Sequence, residues 1–183
     1  SLTVIMFHRV IDPADPRWAS CDPDYTLDTV LFDHCLAFFA EHYNVVSVDE
    51  VLAARNGEKT LPERALLITF DDGWSDNVDF ALPRLRGASM PALLFLVADV
   101  VGRRLPFYQE RLVGGWRLGK VKAVDLLAAA GQARPSAGND DASFRRAIAA
   151  IEQLDDADRE TALAAFAEAM DDGLRHMVLG EEL

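Results

Sequence analysis

The feature that most constrains the fold is a mostly apolar run that ends in two acidic residues. Residues 65–70 (Ala-Leu-Leu-Ile-Thr-Phe) are continuously hydrophobic instead of alternating, which is typical of a parallel strand buried on both faces. Asp71, Asp72 and Gly73 follow at once. Ionised carboxylates at the end of such a strand must be solvated, paired or bound to a metal, so the sequence predicts a functional site here.

The segments around this run alternate between strand and helix patterns. Buried strands are predicted at residues 2–7 and 92–97, with a short strand at 45–48. Helices are predicted over residues 27–43, about 48–55, and 76–86. Strand and helix alternate four times with short connections, which predicts an α/β fold with a parallel sheet or barrel. In either architecture the functional residues collect at the carboxyl ends of the strands.

The pattern changes after about residue 101. Helices are predicted over residues 105–112, 120–130, 143–154 and 157–170, with a polar loop at 131–141. No further strand is predicted, and a barrel cannot close on four strands. The chain as given is therefore expected to stop short of a complete barrel, leaving an open edge through which it could self-associate.

Charge and composition exclude several classes of partner. The net charge is −12, from 30 acidic and 18 basic residues, which disfavours nucleic acid and anionic lipid. No apolar run is long enough to span a membrane and no basic leader precedes one, so localisation stays open. Cys21 and Cys35 lack metal-binding spacing and are predicted to be unpaired, with a disulfide as the alternative.

The two adjacent carboxylates suggest two different roles in one site. Gly73 permits a sharp turn that lets both carboxylates face one crevice. One carboxylate could hold a divalent cation while the other takes a proton from a water that the cation polarises. Two alternatives exist: a turn that caps the following helix, or a phosphatase of the haloacid dehalogenase type. The phosphatase ranks low because it needs an acid two residues before Asp72, where Phe70 stands.

Two further residues are candidates for the same site. His8 ends the first strand. It either lines the pocket, where it would bind substrate or orient a carboxylate, or it forms hydrogen bonds with the backbone at the strand end. Trp74 follows the motif and either stacks on a sugar ring or covers the turn, with packing favoured. His34 and His42 are eight residues apart on one predicted helix, about 12 Å in rise, so they cannot chelate one ion.

Several motifs together resemble a known family. In order and spacing they resemble the N-terminal part of bacterial polysaccharide deacetylases of carbohydrate esterase family four, the NodB-homology domain. The motifs are Met6–Val10, Tyr43–Ser47, Leu66–Gly73, Ala81–Pro83 and Met90–Ala92. The segment Phe107–Leu112 is also similar to the one that opens a helical insertion in some members.

The resemblance implies a distorted (β/α) barrel and metal-dependent hydrolysis of N-acetyl groups from a polysaccharide or amino-sugar oligomer. It implies Asp71 as the catalytic base and Asp72 as a ligand of a divalent metal, with zinc as the first candidate. Residues 1–104 would be the first part of the barrel, and residues 105–183 an insertion leading toward a missing second half. The family's later histidine motifs are missing, so we expect a truncated, inactive N-deacetylase; the alternative is a non-catalytic module that binds carbohydrate or protein.

Overall fold

The structure is a computed structural model that describes residues 1–101, 107–132 and 138–170. Within them the chain forms two compact units: residues 1–18 with 23–101, and residues 19–22 with 107–132 and 138–170. The predicted boundary at 104/105 lies outside the described residues. No helix in these three ranges is both long and apolar enough to cross a membrane.

The first unit contains a parallel sheet and the helices that cover it. Its elements, in chain order, are β1 (Leu2–Phe7), β2 (Arg9–Ile11), β3 (Thr26–Asp28), α1 (Thr29–His42), β4 (Asn44–Val45), α2 (Val48–Arg55), β5 (Ala65–Phe70), a π-helical turn (Asn77–Ala81), α3 (Leu82–Gly87) and β6 (Leu93–Leu94). Strands β2 and β3 form a separate two-stranded parallel sheet that the sequence did not predict.

The apolar run at 65–70 is the central strand of the main sheet. Strand β1 pairs with β5 along its full length, from Leu2 opposite Ala65 to Phe7 opposite Phe70. Strand β4 pairs with the start of β5 and β6 with its end, all in parallel. Every residue of β5 is buried. The predicted α/β class is therefore confirmed, and the described strands form an open sheet.

Local sequence signals explain where the helices begin. The Asp28 carboxylate accepts a hydrogen bond from the Leu31 N–H and caps α1, because first-turn N–H groups lack helical partners. Ser47 and Glu50 form a capping box at the start of α2, with Ser47 as the N-cap. Helix α1 packs Phe32 and Phe39 against the sheet.

Two predicted buried strands differ from the structure. Strand β1 has the predicted bounds but is an edge strand, with Leu2, Val4 and Met6 exposed and Val4 at 56%. The prediction of burial was wrong because helices cover only one face of this strand in the described residues. Of residues 92–97 only Leu93–Leu94 form a strand, since their partner β5 ends opposite Leu94.

The second unit is helical. Its helices are α4 (Tyr108–Arg117), α5 (Ala123–Ala129), α6 (Asp141–Glu152), α7 (Asp156–Ala164) and α8 (Ala167–Met170). Leu112, Leu126 and Ala147 lie in its core. The Trp116 ring stacks on Phe144 with centroids 4.4 Å apart. The Arg117 guanidinium donates to the Cys21 carbonyl over 2.6 Å, which ties residues 19–22 to this unit.

The predicted helices of this unit needed adjustment. Helix α4 continues through Gly114 and Gly115 because tertiary packing compensates for their low helix propensity. A Cβ at Gly115 would lie 2.7 Å from the Val121 side chain and 2.9 Å from the Ala169 carbonyl oxygen. The helix predicted over 157–170 is divided into α7 and α8. Asp171–Gly173 and His176 lie outside the described residues.

Candidate active site at the end of the central strand

The acidic pair continues directly from β5. The Asp71 N–H donates to the Phe7 carbonyl over 2.9 Å, which extends the β1–β5 ladder by one hydrogen bond. The Gly73 N–H then donates to the Asp71 carbonyl, also over 2.9 Å. The backbone therefore turns sharply within the motif, and the turn is anchored on the neighbouring strand.

The turn contains two consecutive residues in the left-handed region. Asp72 has φ of 70° and Gly73 has φ of 75°. Glycine adopts this conformation without penalty, whereas for most other residues it is unfavourable. Asp tolerates it better than most because its short polar side chain can bond locally. The sequence identified the need for Gly73 but not the unusual conformation of Asp72.

The two carboxylates are available to a ligand. Both side chains are half-buried, and within the described ranges neither makes a hydrogen bond or ion pair with another protein group. The helical segment that follows begins at Asn77, and its N-cap residue Asp76 makes no side-chain capping bond. The geometry therefore does not support the alternative in which Asp71 or Asp72 serves to cap a helix.

His8 lies at the same rim. Because Phe7 pairs with Phe70, His8 follows at the end of β1 beside the start of the acidic turn. Its ring is half-buried and its centroid lies 5.0 Å from that of Tyr25, which is more than half exposed. Its carbonyl accepts a hydrogen bond of 2.7 Å from the Asn77 amide. The His8 ring is therefore accessible to a bound molecule, while the hydrogen bond from Asn77 holds the His8 backbone.

Trp74, directly after the turn in the sequence, is buried and only 3% exposed. The Arg9 guanidinium carbon lies 4.2 Å from the centroid of its ring, a cation–π contact. This arrangement favours packing over stacking on a sugar ring.

The sequence reasoning missed Arg9 and Asp76, which lie next to the motif in space. Both are almost inaccessible, with exposures of 1% and 0%. Arg9 Nε and Nη2 lie 3.0 and 2.5 Å from Asp76 Oδ2. Burial raises the pKa of the Asp76 carboxyl, and the charge of Arg9 opposes that rise. The available signal was an arginine directly after His8 and a third aspartate four residues after Asp72.

The described residues do not complete a metal site. A catalytic zinc normally has three protein ligands and a water. Over residues 1–101, 107–132 and 138–170 there is no group of three His, Cys, Asp or Glu side chains able to hold one ion.

Cys21 and Cys35 do not form a disulfide with each other, as predicted. Cys21 is buried and Cys35 lies partly buried on α1, where desolvation raises the pKa of its thiol. Neither lies in the acidic turn.

The class of protein indicated by the fold and motif agrees with sequence comparison. Residues 58–132, which include the whole motif and are 75 of the 183 residues, match the profile of the polysaccharide deacetylase family. The resemblance predicted from the motifs is confirmed.

The proteins similar to this chain include one curated relative and several solved structures. YxkH of Bacillus subtilis (strain 168), whose name assigns it to the polysaccharide deacetylases, is 30% identical over 70 residues, covering 38% of this chain and 25% of YxkH. A de-N-acetylase from Aggregatibacter actinomycetemcomitans is 28% identical, covers 58% of this chain and 42% of that one, and has a TM-score of 0.49. IcaB from Ammonifex degensii is 20% identical, with coverage of 95% and 70% and a TM-score of 0.48. The chain thus spans a quarter of the curated relative that it matches.

Proposed function

We propose that this chain carries part of the active site of a metal-dependent polysaccharide N-deacetylase. Asp71 is the catalytic base and Asp72 is one ligand of a divalent metal, with zinc as the first candidate. The observation that supports this proposal is the pair of half-buried carboxylates at the end of β5, inside the stretch that matches the deacetylase family. Neither carboxylate has a hydrogen-bond or ion-pair partner among the described residues. The substrate is a polysaccharide or oligomer containing an N-acetylated amino sugar.

Hydrolysis of the N-acetyl group requires two proton transfers, one from the attacking water and one to the leaving nitrogen. Water attacks the acetyl carbonyl carbon while Asp71 takes one of its protons. The carbon–nitrogen bond then breaks as the nitrogen takes up a proton, which gives acetate and a free amine. His8, at the rim beside the turn, binds the substrate near that bond. Trp74 packs against the Arg9 guanidinium directly after the turn and does not contact the substrate. A bound cation would supply Lewis-acid polarisation, with its other ligands coming from outside the described residues.

A second candidate function is a non-catalytic module that binds carbohydrate or another protein. The observation in its favour is that the described ranges hold no group of three metal-binding side chains. Such a module would bind an N-acetylglucosamine oligomer without releasing acetate and without taking up zinc.

Acetate release from N-acetylglucosamine oligomers, measured with and without added Zn²⁺, separates the two functions. The assay uses residues 1–183 and the full-length protein, because we propose that residues 1–183 alone are inactive or nearly so. In the active form, Asp71→Asn should lower kcat by about 100-fold or more, as expected for loss of a general base. Asp72→Asn should abolish both zinc uptake and activity.

The matched control is Asp79→Asn. Asp79 is exposed and lies seven residues beyond Asp72, where it pairs with Arg17 over 3.0 Å. Its loss should leave acetate release unchanged. A full-length protein that binds no zinc and releases no acetate, with Asp72 intact, would refute the deacetylase proposal.

We also propose that the exposed face of β1 is covered by another surface in the working protein. Leu2, Val4 and Met6 present apolar side chains on one side of an edge strand. Light scattering on residues 1–183 tests whether this face is covered by a second copy of the chain, because an uncovered apolar face on an edge strand favours self-association. A strictly monomeric species at high concentration would count against it.

A further inference from the structure

An ion pair lies behind the acidic turn, almost fully out of contact with solvent. Arg9 Nε and Nη2 both contact Asp76 Oδ2, whereas Asp76 Oδ1 is buried without a hydrogen-bond partner in the described residues. Buried ion pairs of this kind are weak contributors to stability, because desolvating the two charges offsets their attraction. The incomplete hydrogen bonding of Asp76 weakens the case for a purely stabilising role further.

The pair joins the two backbone segments that meet at the rim. Arg9 is the residue after His8, and Asp76 is the fourth residue after Asp72. The Arg9 guanidinium also covers the ring of Trp74, which lies between the motif and Asp76. A second tie runs in the same direction, from the Asn77 side-chain amide to the His8 carbonyl. The end of β1 and the segment after the motif are thus fixed to each other at two points.

The Arg9–Asp76 pair and the Asn77–His8 hydrogen bond enclose the Asp71–Gly73 turn, whose backbone conformation is unfavourable. Asp72 and Gly73 both have positive φ, and Asp72 is not a glycine. Such conformations persist when the surrounding structure determines them from several sides. Here the Asp71 N–H fixes the turn to β1 at its start, and the Trp74–Arg9–Asp76 stack fixes it at its end.

We propose that Arg9 and Asp76 are positioning residues, which hold the Asp71–Gly73 turn in the conformation that presents the two carboxylates. They act through that turn and do not touch substrate. The functional consequence rests on the proposed deacetylase activity, whereas the structural consequence, the order of the turn, does not. The two consequences can therefore fail separately.

The test uses the double variant Arg9→Met with Asp76→Leu, which removes both charges and leaves neither one buried alone. Amide hydrogen exchange by NMR reports the turn through the N–H groups of Asp71 and Gly73, and the core through those of Leu66 and Ile68. We expect exchange at Asp71 and Gly73 to become at least 10-fold faster relative to the core amides. A purely stabilising pair would instead change all four amides together.

Kinetics provide the second readout in the active, full-length protein with Zn²⁺ and N-acetylglucosamine oligomers. We expect kcat to fall at least 10-fold with KM changed by less than threefold, because the reacting groups are displaced while the sugar contacts remain. Arg9→Lys, which retains the charge, should recover part of kcat and part of the exchange protection. Asp79→Asn, which removes a pair at the surface of the same unit, should change neither.

Unchanged protection of Asp71 and Gly73 in the double variant would overturn the proposal, whether or not the protein proves to be a deacetylase. An active protein whose double variant retains kcat would overturn it as well. If the double variant does not fold, Arg9→Lys carries the same test, and selective loss of protection at the turn is the result that supports it. An inactive full-length protein with selective loss of protection would refute the deacetylase function and leave the positioning role in place.

Discussion

Replacing Asp72 with glycine should stabilise the fold or leave it unchanged while removing the proposed metal ligand. The left-handed conformation costs an L-residue roughly 1–2 kcal/mol, and less for aspartate. Glycine avoids that cost but loses about 0.5–1 kcal/mol more backbone entropy on folding. The Asp72 carboxylate makes no hydrogen bond or ion pair within the described ranges, so no interaction is lost with it. The net change in unfolding free energy should lie between about 0 and +1 kcal/mol.

Urea unfolding followed by circular dichroism measures this change, and acetate release and zinc uptake measure the function. Ser89→Gly is the matched control, because Ser89 also has a positive φ, of 55°, and is exposed on the surface. It should give a similar change in unfolding free energy with full activity. Asp72→Ala should cost stability, since alanine lacks the tolerance of aspartate and glycine for this conformation.

A loss of more than 2 kcal/mol in Asp72→Gly would refute this reasoning. It would mean that the carboxylate makes a stabilising contact and that the turn, not a ligand, explains why aspartate stands at this position. Full deacetylase activity in Asp72→Gly would refute the proposed metal-binding role separately.

Three further predictions concern other parts of the chain. Gly115→Ala should destabilise the helical unit by about 1–2 kcal/mol, a lowering of roughly 4–16 °C in Tm by calorimetry, because overpacking outweighs the gain in helix propensity; Gly87→Ala, with open space around it, should not. Thiol titration without reductant should find two reduced thiols per unfolded chain. In the native protein Cys35 should react slowly because burial raises its pKa, and the buried Cys21 should be protected. The hydrogen bonds between Glu50 and Ser47 lower the pKa of the Glu50 carboxyl, so their stabilisation is present above the unfolded pKa of about 4.3 and is lost as pH falls through the folded pKa. Titration of the Glu50 carboxyl with acid, followed by NMR, checks the direction of this shift, and Glu50→Gln is the variant that cannot titrate.

The elements predicted best are those with strong local signals. Residues 65–70 form a strand with the predicted bounds and full burial, as is typical of a continuous apolar run in a parallel sheet. The helix predicted over about 48–55 is α2, whose start is set locally by the capping box between Ser47 and Glu50, three residues apart. These interactions do not depend on distant parts of the chain.

The elements predicted poorly depend on neighbours. Residues 2–7 have the same apolar character as β5, but one face of this strand is left uncovered in the described residues, so Leu2, Val4 and Met6 are exposed. Residues 92–97 form only a two-residue strand, because the length of a strand is limited by its partner in the ladder. Helix α4 runs through two glycines because Gly115 fits closely against Val121 and the backbone near Ala169.

The sequence by itself determined that two acidic residues end a buried strand and that the turn after them needs a glycine. Both conclusions follow from local chemistry: the cost of burying unpaired carboxylates and the freedom of a residue without Cβ. Only the tertiary structure showed Arg9 beside Asp76, because these residues are 67 positions apart and meet only when β1 pairs with β5. It also showed that Asp72 itself adopts the left-handed conformation, which depends on how the turn is held at both ends.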